Sequence, residues 1–308
     1  MSLRHEPVLY QEIIHALRPK SMGFYVDGTL GAGGHAAGLL AGSEPGGRLL
    51  GLDVDPQALE LARQNLAPFG ERACLIRAPY TSLPEQLAAL GWDKVDGILL
   101  DLGASSMQFD TPERGFSFLA DGPLDMRFDP TNPLTASEIV NTWAEDELVD
   151  VLFRYGEERA SRRIAHAIQR ARPISSTGQL AEVIEKAIGR HSSHHPATQT
   201  FQALRIAVNG ELESLEKTLP LAVQALAPGG RLAVISFHSL EDRLVKEYFR
   251  LESRDCICPP RQPVCTCGHK ASISEVTRRP LTPAEEEIKR NSRARSAKLR
   301  VAEKLQGI

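Results

Sequence analysis

Three apolar runs in the first hundred or so residues each finish on an aspartate: Gly23-Phe24-Tyr25-Val26-Asp27, Arg48-Leu49-Leu50-Gly51-Leu52-Asp53 and Val95-Asp96-Gly97-Ile98-Leu99-Leu100-Asp101. A fourth run, Ala73-Cys74-Leu75-Ile76-Arg77, lies between the second and third. Their near-continuous apolar character fits strands buried on both faces. The spacers have helical character. His35 to Leu40 starts one helix, and Asp55 caps another whose first position is Pro56, where no hydrogen bond is lost. Strand and helix in alternation predict a parallel sheet covered by helices on both sides. In such sheets ligands bind beyond the carboxyl ends of the strands, where Asp27, Asp53 and Asp101 lie.

The alternation stops after Asp101. From about Ser105 to Val208 no strand pattern is present. Gly115 to Pro133, rich in Gly, Pro and Asp, reads as an ordered loop. Helices are expected from a capping box at Thr142-x-x-Glu145, over Glu157–Arg172, over Thr177–Ile188, and from Pro196 through Phe201, Leu204, Ile206 and Val208. Strand grammar then returns. A helix over Glu211–Leu226 is followed by a turn at Pro228-Gly229-Gly230, a buried strand over Arg231–Phe237, a helix over Leu240–Leu251 and a final edge strand over Ala297–Val301. The economical reading is a doubly wound α/β sheet interrupted by an all-helical insertion. It divides the chain into 1–105 and 209–308 for the sheet and 106–208 for the insertion. No internal repeat is present.

The 308 residues, 42% of them apolar, suffice for a large core and about two domains. No stretch approaches the roughly 20 apolar residues of a membrane span. The segment Met1–Pro7 lacks the apolar run of a signal peptide, so a cytoplasmic protein is expected. A net charge of −3 argues against a general nucleic-acid binder, but the charge is unevenly spread. Arg278–Lys304 holds nine Lys/Arg against four Glu, and Arg154–Arg172 six Arg against two Glu. Each is either a solvated helix face or part of a local polyanion site.

The loop Asp27-Gly28-Thr29-Leu30-Gly31-Ala32-Gly33-Gly34-His35 joins the first strand to the first helix. Its glycines let backbone approach a ligand, and the helix start offers free amides. Asp53, at the tip of the second strand, can accept both hydroxyls of a ribose. Gly31-x-Gly33-x-x-Ala36 also satisfies the dinucleotide fingerprint, so an NAD-linked oxidoreductase is the competing reading. Asp27 separates the two. Beside a pyrophosphate it would be repelled, whereas S-adenosylmethionine carries a sulfonium and an ammonium that Asp27 and Asp101 attract. The simpler role for Asp27 is to cap the next helix.

These residues, with others further along, give the chain a resemblance to the bacterial ribosomal RNA small-subunit methyltransferase H family. The resemblance rests on His5-x-Pro7-Val8-Leu9, the Asp27–His35 loop, Asp53-x-Asp55-Pro56, Gly97–Gly103 with Ser105-Ser106, Glu113–Phe118 and Asp121–Arg127. It continues with Tyr155–Glu158, His195–Thr198, Phe201-Gln202-Ala203, Ile235–Arg243 and Arg293–Ser296, in order along nearly the whole chain. It implies a Rossmann-like class I methyltransferase sheet that uses S-adenosylmethionine to methylate the N4 amine of a cytosine in 16S rRNA. Gly33, Gly34 and His35 would line the methionine end of the cofactor. Asp53 would hold the ribose and Tyr80 would pack on the adenine. Asp101 and Gln108 would stand near the sulfonium and the substrate pocket. The simpler readings are a half-buried aromatic for Tyr80 and a purely backbone role for His35.

As the new bond forms the exocyclic nitrogen becomes acidic, and Asp101 is the candidate acceptor. The Asn/Asp-Pro-Pro-aromatic motif of many amino-methyltransferases is absent after Asp101, where Leu102-Gly103-Ala104-Ser105-Ser106 follows. Phe109, Phe116 and Phe118 could supply an aromatic clamp or simply pack the loop. The insertion, with Arg159, Arg162 and Arg163 as phosphate contacts, is expected to overhang the pocket and recognise RNA. The modest overall charge favours an assembled or near-assembled small subunit as substrate, and a homo-oligomer is compatible with the sequence. A non-catalytic RNA-binding or assembly factor is the third reading.

Cys256-x-Cys258 and Cys265-x-Cys267 leave two readings open. Four thiolates suit zinc, yet common structural sites use Cys-x₂₋₄-Cys spacing, and a loop of free thiols in a reducing compartment is the alternative. His191, His194 and His195 read as ligands or, more simply, as a polar loop before the helix opened by Pro196.

Overall fold

A computed structural model describes residues 7–189, 195–259, 262 and 264–306. His5, His191 and His194 lie outside these residues. The chain divides into two compact units, residues 1–103 with 212–308, and residues 104–211.

The first unit is built on a sheet of seven strands among the described residues: β1 (Phe24–Asp27), β2 (Arg48–Asp53), β3 (Ala73–Arg77), β4 (Val95–Asp101), β5 (Leu226–Ser236), β6 (Ile273–Glu275) and β7 (Lys298–Lys304). Their order is β3-β2-β1-β4-β5-β7-β6. β1 to β5 run parallel, and β7 is antiparallel to both β5 and β6. Two sequence expectations are corrected by this sheet. The strand expected over Ala297–Val301 runs on to Lys304 and is not a free edge: Ala302–Lys304 pair with the three residues of β6, and Leu299 bridges Leu281; so short a segment as β6 has no periodicity to read. The Pro228-Gly229-Gly230 run is not a turn before the strand. It is a bulge within β5, where the register jumps from Val95↔Leu226 to Gly97↔Arg231.

Helices α1 (Tyr10–Leu17), α2 (Gly34–Gly42), α3 (Pro56–Leu66) and α4 (Leu83–Ala89) connect the early strands. The second unit holds α5 (Ser106–Asp110), α6 (Ala136–Thr142), α7 (Glu145–Gly156), α8 (Ser161–Ala171), α9 (Thr177–Ile188) and α10 (Thr198–Asn209). α11 (Glu211–Ala225) leads back into the sheet, followed by α12 (Ser239–Glu252) and α13 (Glu285–Arg290).

Successive residues of each central strand feed opposite layers, as the two-residue period of a pleated strand requires. Val26, Leu50 and Leu100 pack with Leu83, Leu87, Leu219 and Phe249 from α4, α11 and α12. Their neighbours Tyr25, Leu49 and Leu99 pack with Ile13, Leu39, Leu59 and Leu66 from α1, α2 and α3. This two-sided burial is why the strands lack polar alternation.

The helical unit has its own core, including Leu148, Leu152, Ile164, Ile168, Leu180 and Leu204. The Gly115–Pro133 stretch is ordered without regular structure. Arg127 pairs with Asp125 at 2.7 Å and donates to the carbonyls of Pro130 and Asn132, and Asn209 bonds the backbone of Met126 and Phe128. Three helix starts differ from expectation. α7 begins at Glu145 with Glu147 accepting from the Ala144 N–H, while Thr142 donates its hydroxyl back to the Glu138 carbonyl. α8 starts at Ser161 rather than Glu157, because Glu157 adopts φ 51° and terminates α7. α10 starts at Thr198, two residues past Pro196.

Candidate active site at the carboxyl rim of the sheet

β1 lies between β2 and β4, and Asp27 pairs in register with Gly51 and Leu99, so Asp53 and Asp101 end their strands two residues beyond it on either side. The loop after β1 crosses this rim. Its backbone is pinned by Gly28 N–H to the Leu99 carbonyl and Leu30 N–H to the Leu52 carbonyl, both 2.9 Å. Gly31 N–H donates to Asp53 Oδ2 at 2.8 Å, and Asp55 N–H to Asp53 Oδ1 at 2.9 Å, so Asp53 is oriented from both sides. The 22-residue separation of Gly31 and Asp53 thus becomes a direct contact. Gly33 sits at φ 80° and opens α2 with no side chain capping it, which leaves the first-turn amides available to a ligand. A Cβ on Gly34 would lie 2.4 Å from Pro7 Cγ, so that position takes no side chain.

The electrostatics of the rim are unusual. Asp27 is 1% exposed, and burial pushes its carboxyl up to about 7, against the hydrogen bond from Thr29 N–H and with the charge of Asp53 adding to the rise. Asp27 does not cap α2; it closes the turn at Thr29. Burial also raises Asp53. Asp101 is held well above the ordinary carboxylate range by burial, then by the charges of Asp27 and Glu241. Its Oδ1 is buried without a hydrogen-bond partner among the described residues. His35 is buried too, its pKa pushed down to about 4, and its Nε2–H donates to the Val8 carbonyl at 3.0 Å. Nδ1 therefore faces Asp101 Oδ2 unprotonated at 3.7 Å, so the neutral imidazole forms no ion pair with it. Clustered carboxyl groups that raise one another, one with an enclosed oxygen unpartnered among the described residues, form a cradle that a cationic ligand would relieve.

Tyr80 follows β3 in a 3-10 turn and is partly buried against the sheet core. Asp27, Gly31, Gly33, Gly34, His35, Asp53, Tyr80 and Asp101 all belong to the first unit. Gln108 belongs to the second, where its side chain accepts from Ser105 N–H and completes a capping box on α5. Phe116 is buried, stacked on Phe128 at 5.5 Å, and Phe118 packs on His195 and Phe201. These rings pack the helical core. His195 Nδ1 accepts from Ala197 N–H at the approach to α10, a structural role.

Sequence reasoning missed Glu241 and His238 at the carboxyl end of β5. Glu241 is buried, accepts from Phe237 N–H at 2.9 Å and raises Asp101; His238 caps α12. The available signal was a strand ending directly in Phe237-His238-Ser239 before an acidic helix start, the same grammar as the other rim loops.

A doubly wound sheet of this order, with an antiparallel strand beside β5 and a glycine loop facing acidic strand ends, defines a class I S-adenosylmethionine-dependent methyltransferase. The sequence comparison is specific: residues 2–305 match the MraW methylase family, and the chain belongs to that family. The ribosomal RNA small subunit methyltransferase H of Heliobacterium mobile is 51% identical, covering 99% of this chain and 100% of that protein. The protein of the same name from Lawsonia intracellularis is 51% identical over 98% of this chain and 99% of that one. Among solved structures, a putative rRNA methylase from Clostridium thermocellum matches with a TM-score of 0.46 at 13% identity, covering 98% of this chain and all of that one.

Proposed function

We propose that this protein transfers the methyl group of S-adenosylmethionine to the N4 amine of a cytosine in small-subunit ribosomal RNA, in the cytoplasm, on an assembled or near-assembled subunit. The observation that carries the reading is Asp101, a partly exposed carboxyl whose Oδ1 is enclosed without a hydrogen-bond partner among the described residues, at the rim where Asp27 and Asp53 also converge. The names of the curated relatives support the RNA substrate. Gly33, Gly34 and His35 hold the methionine end of the cofactor, Asp53 the ribose and Tyr80 the adenine face.

When bound, the cofactor supplies an electrophilic methyl on a cationic sulfur. The protein's part is alignment and proton handling, and alignment lowers such barriers by roughly 7–11 kcal/mol. A cation beside Asp101 favours its ionised form, and the free Oδ1 then accepts the proton that the amine loses as the N–C bond forms. In the helical unit, Arg159, Arg162 and Arg163 line an open groove of about 930 Å³ with the exposed ring of Phe153. None of the three arginines has an ion pair among the described residues, although Asp146 and Asp150 share the groove. Exposed guanidinium groups beside an aromatic ring suit an RNA backbone and an unstacked base.

The test is transfer of isotopically labelled methyl to small subunits lacking the modification, followed by mass spectrometry of the digested RNA. Label on the N4 of one cytosine supports the reading. Label on a different base or a ring carbon, or none despite measured cofactor binding, overturns it.

A further inference from the structure

The carboxyl rim of the sheet uses none of Cys256, Cys258, Cys265 and Cys267. We propose that they form a closed, structural zinc site that holds the segment between α12 and β6.

All four Sγ atoms lie within 4.8 Å of one another. The Cys265–Cys267 separation is 3.6 Å and the Cys256–Cys267 separation 3.9 Å. Four thiolates around zinc at about 2.3 Å define a tetrahedron whose edges are about 3.8 Å, so these separations match its edges. No pair is joined as a disulfide.

The backbone supports the four sulfurs with internal symmetry. Ile257, the middle residue of the first pair, donates its N–H to Cys267 Sγ at 3.5 Å. Thr266, the middle residue of the second pair, donates its N–H to Cys258 Sγ at 3.5 Å. Each Cys-x-Cys arm thus backs the far sulfur of the other. A third amide, that of His269, turns back onto Cys267 Sγ at 3.5 Å, a reversal that Gly268 permits at φ 63°. Amides aimed at sulfur favour the thiolate and fix ligand orientation, as groups behind metal ligands do. The Cys-x-Cys spacing is workable because extended backbone places residues i and i+2 on one side.

Apart from the sulfurs, the described residues of the segment are held only by exposed hydrogen bonds, such as Gln262 to Thr266 at 2.7 Å and His269 with the Leu251 carbonyl at 3.3 Å. None of its described residues from 254 to 270 is buried; Ile257 is 42% exposed and Val264 69%. Its base is closed by Ser272, whose N–H bonds the Glu252 carbonyl at 2.8 Å and whose hydroxyl bonds the Glu252 carboxylate at 2.7 Å. Beyond that closure the described residues form no apolar core to offset the entropy of ordering the chain, and a metal clip would supply the missing stabilisation. With four protein thiolates the site leaves no open position for a substrate, so its role is structural.

The test begins with the full-length, unaltered chain purified under reducing conditions without chelators. Elemental analysis is expected to find zinc equimolar with protein, released stoichiometrically by a mercurial that caps thiols. Chain refolded with cobalt is expected to show the intense visible bands of a tetrahedral thiolate complex. Hydrogen exchange is expected to accelerate at Ile257 and Thr266 when zinc is stripped, with the sheet amides unchanged. Cys258→Ser combined with Cys267→Ser should abolish binding, while Cys74→Ser, in β3, keeps it. Absence of zinc together with absence of the cobalt bands overturns the proposal, whatever the variants do, and so does a protein loaded with iron instead.

Discussion

Asp101 and Asp27 sit in one rim and are expected to differ in what they control. Asp101→Asn preserves the shape of the side chain but cannot take up a proton. Turnover is expected to fall roughly a hundredfold or more, well beyond any loss of cofactor affinity read by calorimetry. Unaltered turnover would remove Asp101 from the chemistry. Asp27 and His35 bring opposite pH dependences to the ligand-free protein. Asp27, raised from 3.8 to about 7, holds a proton in the fold that the unfolded chain has released, so its contribution declines as pH rises through that window. His35, lowered from 6.5 to about 4, stays neutral where the unfolded chain is protonated, so its contribution declines as pH falls from 6.5 toward 4. Asp27→Asn removes the first effect, and thermal melts of that variant should climb more steeply with pH between about 4 and about 7 than those of the parent. The rim is partly legible in the sequence, because its carboxylates end apolar strands and parallel pairing brings strand ends together. Glu241 is hidden there because it acts from inside the first turn of a helix, where an acidic residue usually serves the helix itself.

Among the elements, β7 depends on a partner that its own sequence does not announce. Arg300 is 5% exposed and its Nε donates to Asp242 Oδ1 of α12 at 2.6 Å, while Lys298 reaches the other oxygen at 3.3 Å. Burial alone would raise Asp242, but the hydrogen bond and charge of Arg300, with Lys298, hold it below the usual carboxylate range. Arg300→Met leaves that carboxylate largely uncompensated. A loss of about 3 kcal/mol is expected, read as a fall of about 6–12 °C in the unfolding midpoint, whereas Arg300→Met with Asp242→Leu should recover much of it. A midpoint unchanged in the single variant would show the pair to be energetically idle. Long, two-sided strands and capped helices are readable because pattern and fold agree there, as at Asp55, whose carboxylate accepts from Gln57 N–H ahead of Pro56. Misreadings fall where local and distant forces compete. Glu157 looks like a helix former, yet its left-handed backbone ends α7; β6 exists only because β7 offers it an edge.

Over the whole molecule, charge is segregated rather than abundant. The net charge of −3 gives no long-range attraction to RNA, so binding must come from local groups such as Arg159, Arg162 and Arg163. Reversing all three to Glu should weaken binding to the small subunit and flatten its dependence on salt, by about one unit of log–log slope for each phosphate no longer neutralised. Cofactor affinity should not change, since every rim residue named for the cofactor, Gln108 aside, belongs to the other unit. A salt slope equal to that of the parent would return the three arginines to the status of a solvated face.

The placement of the insertion also has a consequence for how the chain is made. β4 ends at Asp101, and the strand that pairs with its open side, β5, begins only at Leu226. During synthesis the helical unit, whose contacts are comparatively local, emerges entirely within that interval. For all of it the nascent half-sheet β3-β2-β1-β4 presents the bare edge of an apolar strand, the kind of surface that seeds aggregation. A ribosome that stalls after the helical unit but before Arg231 would therefore leave a well-folded appendage joined to an unfinished, adhesive sheet.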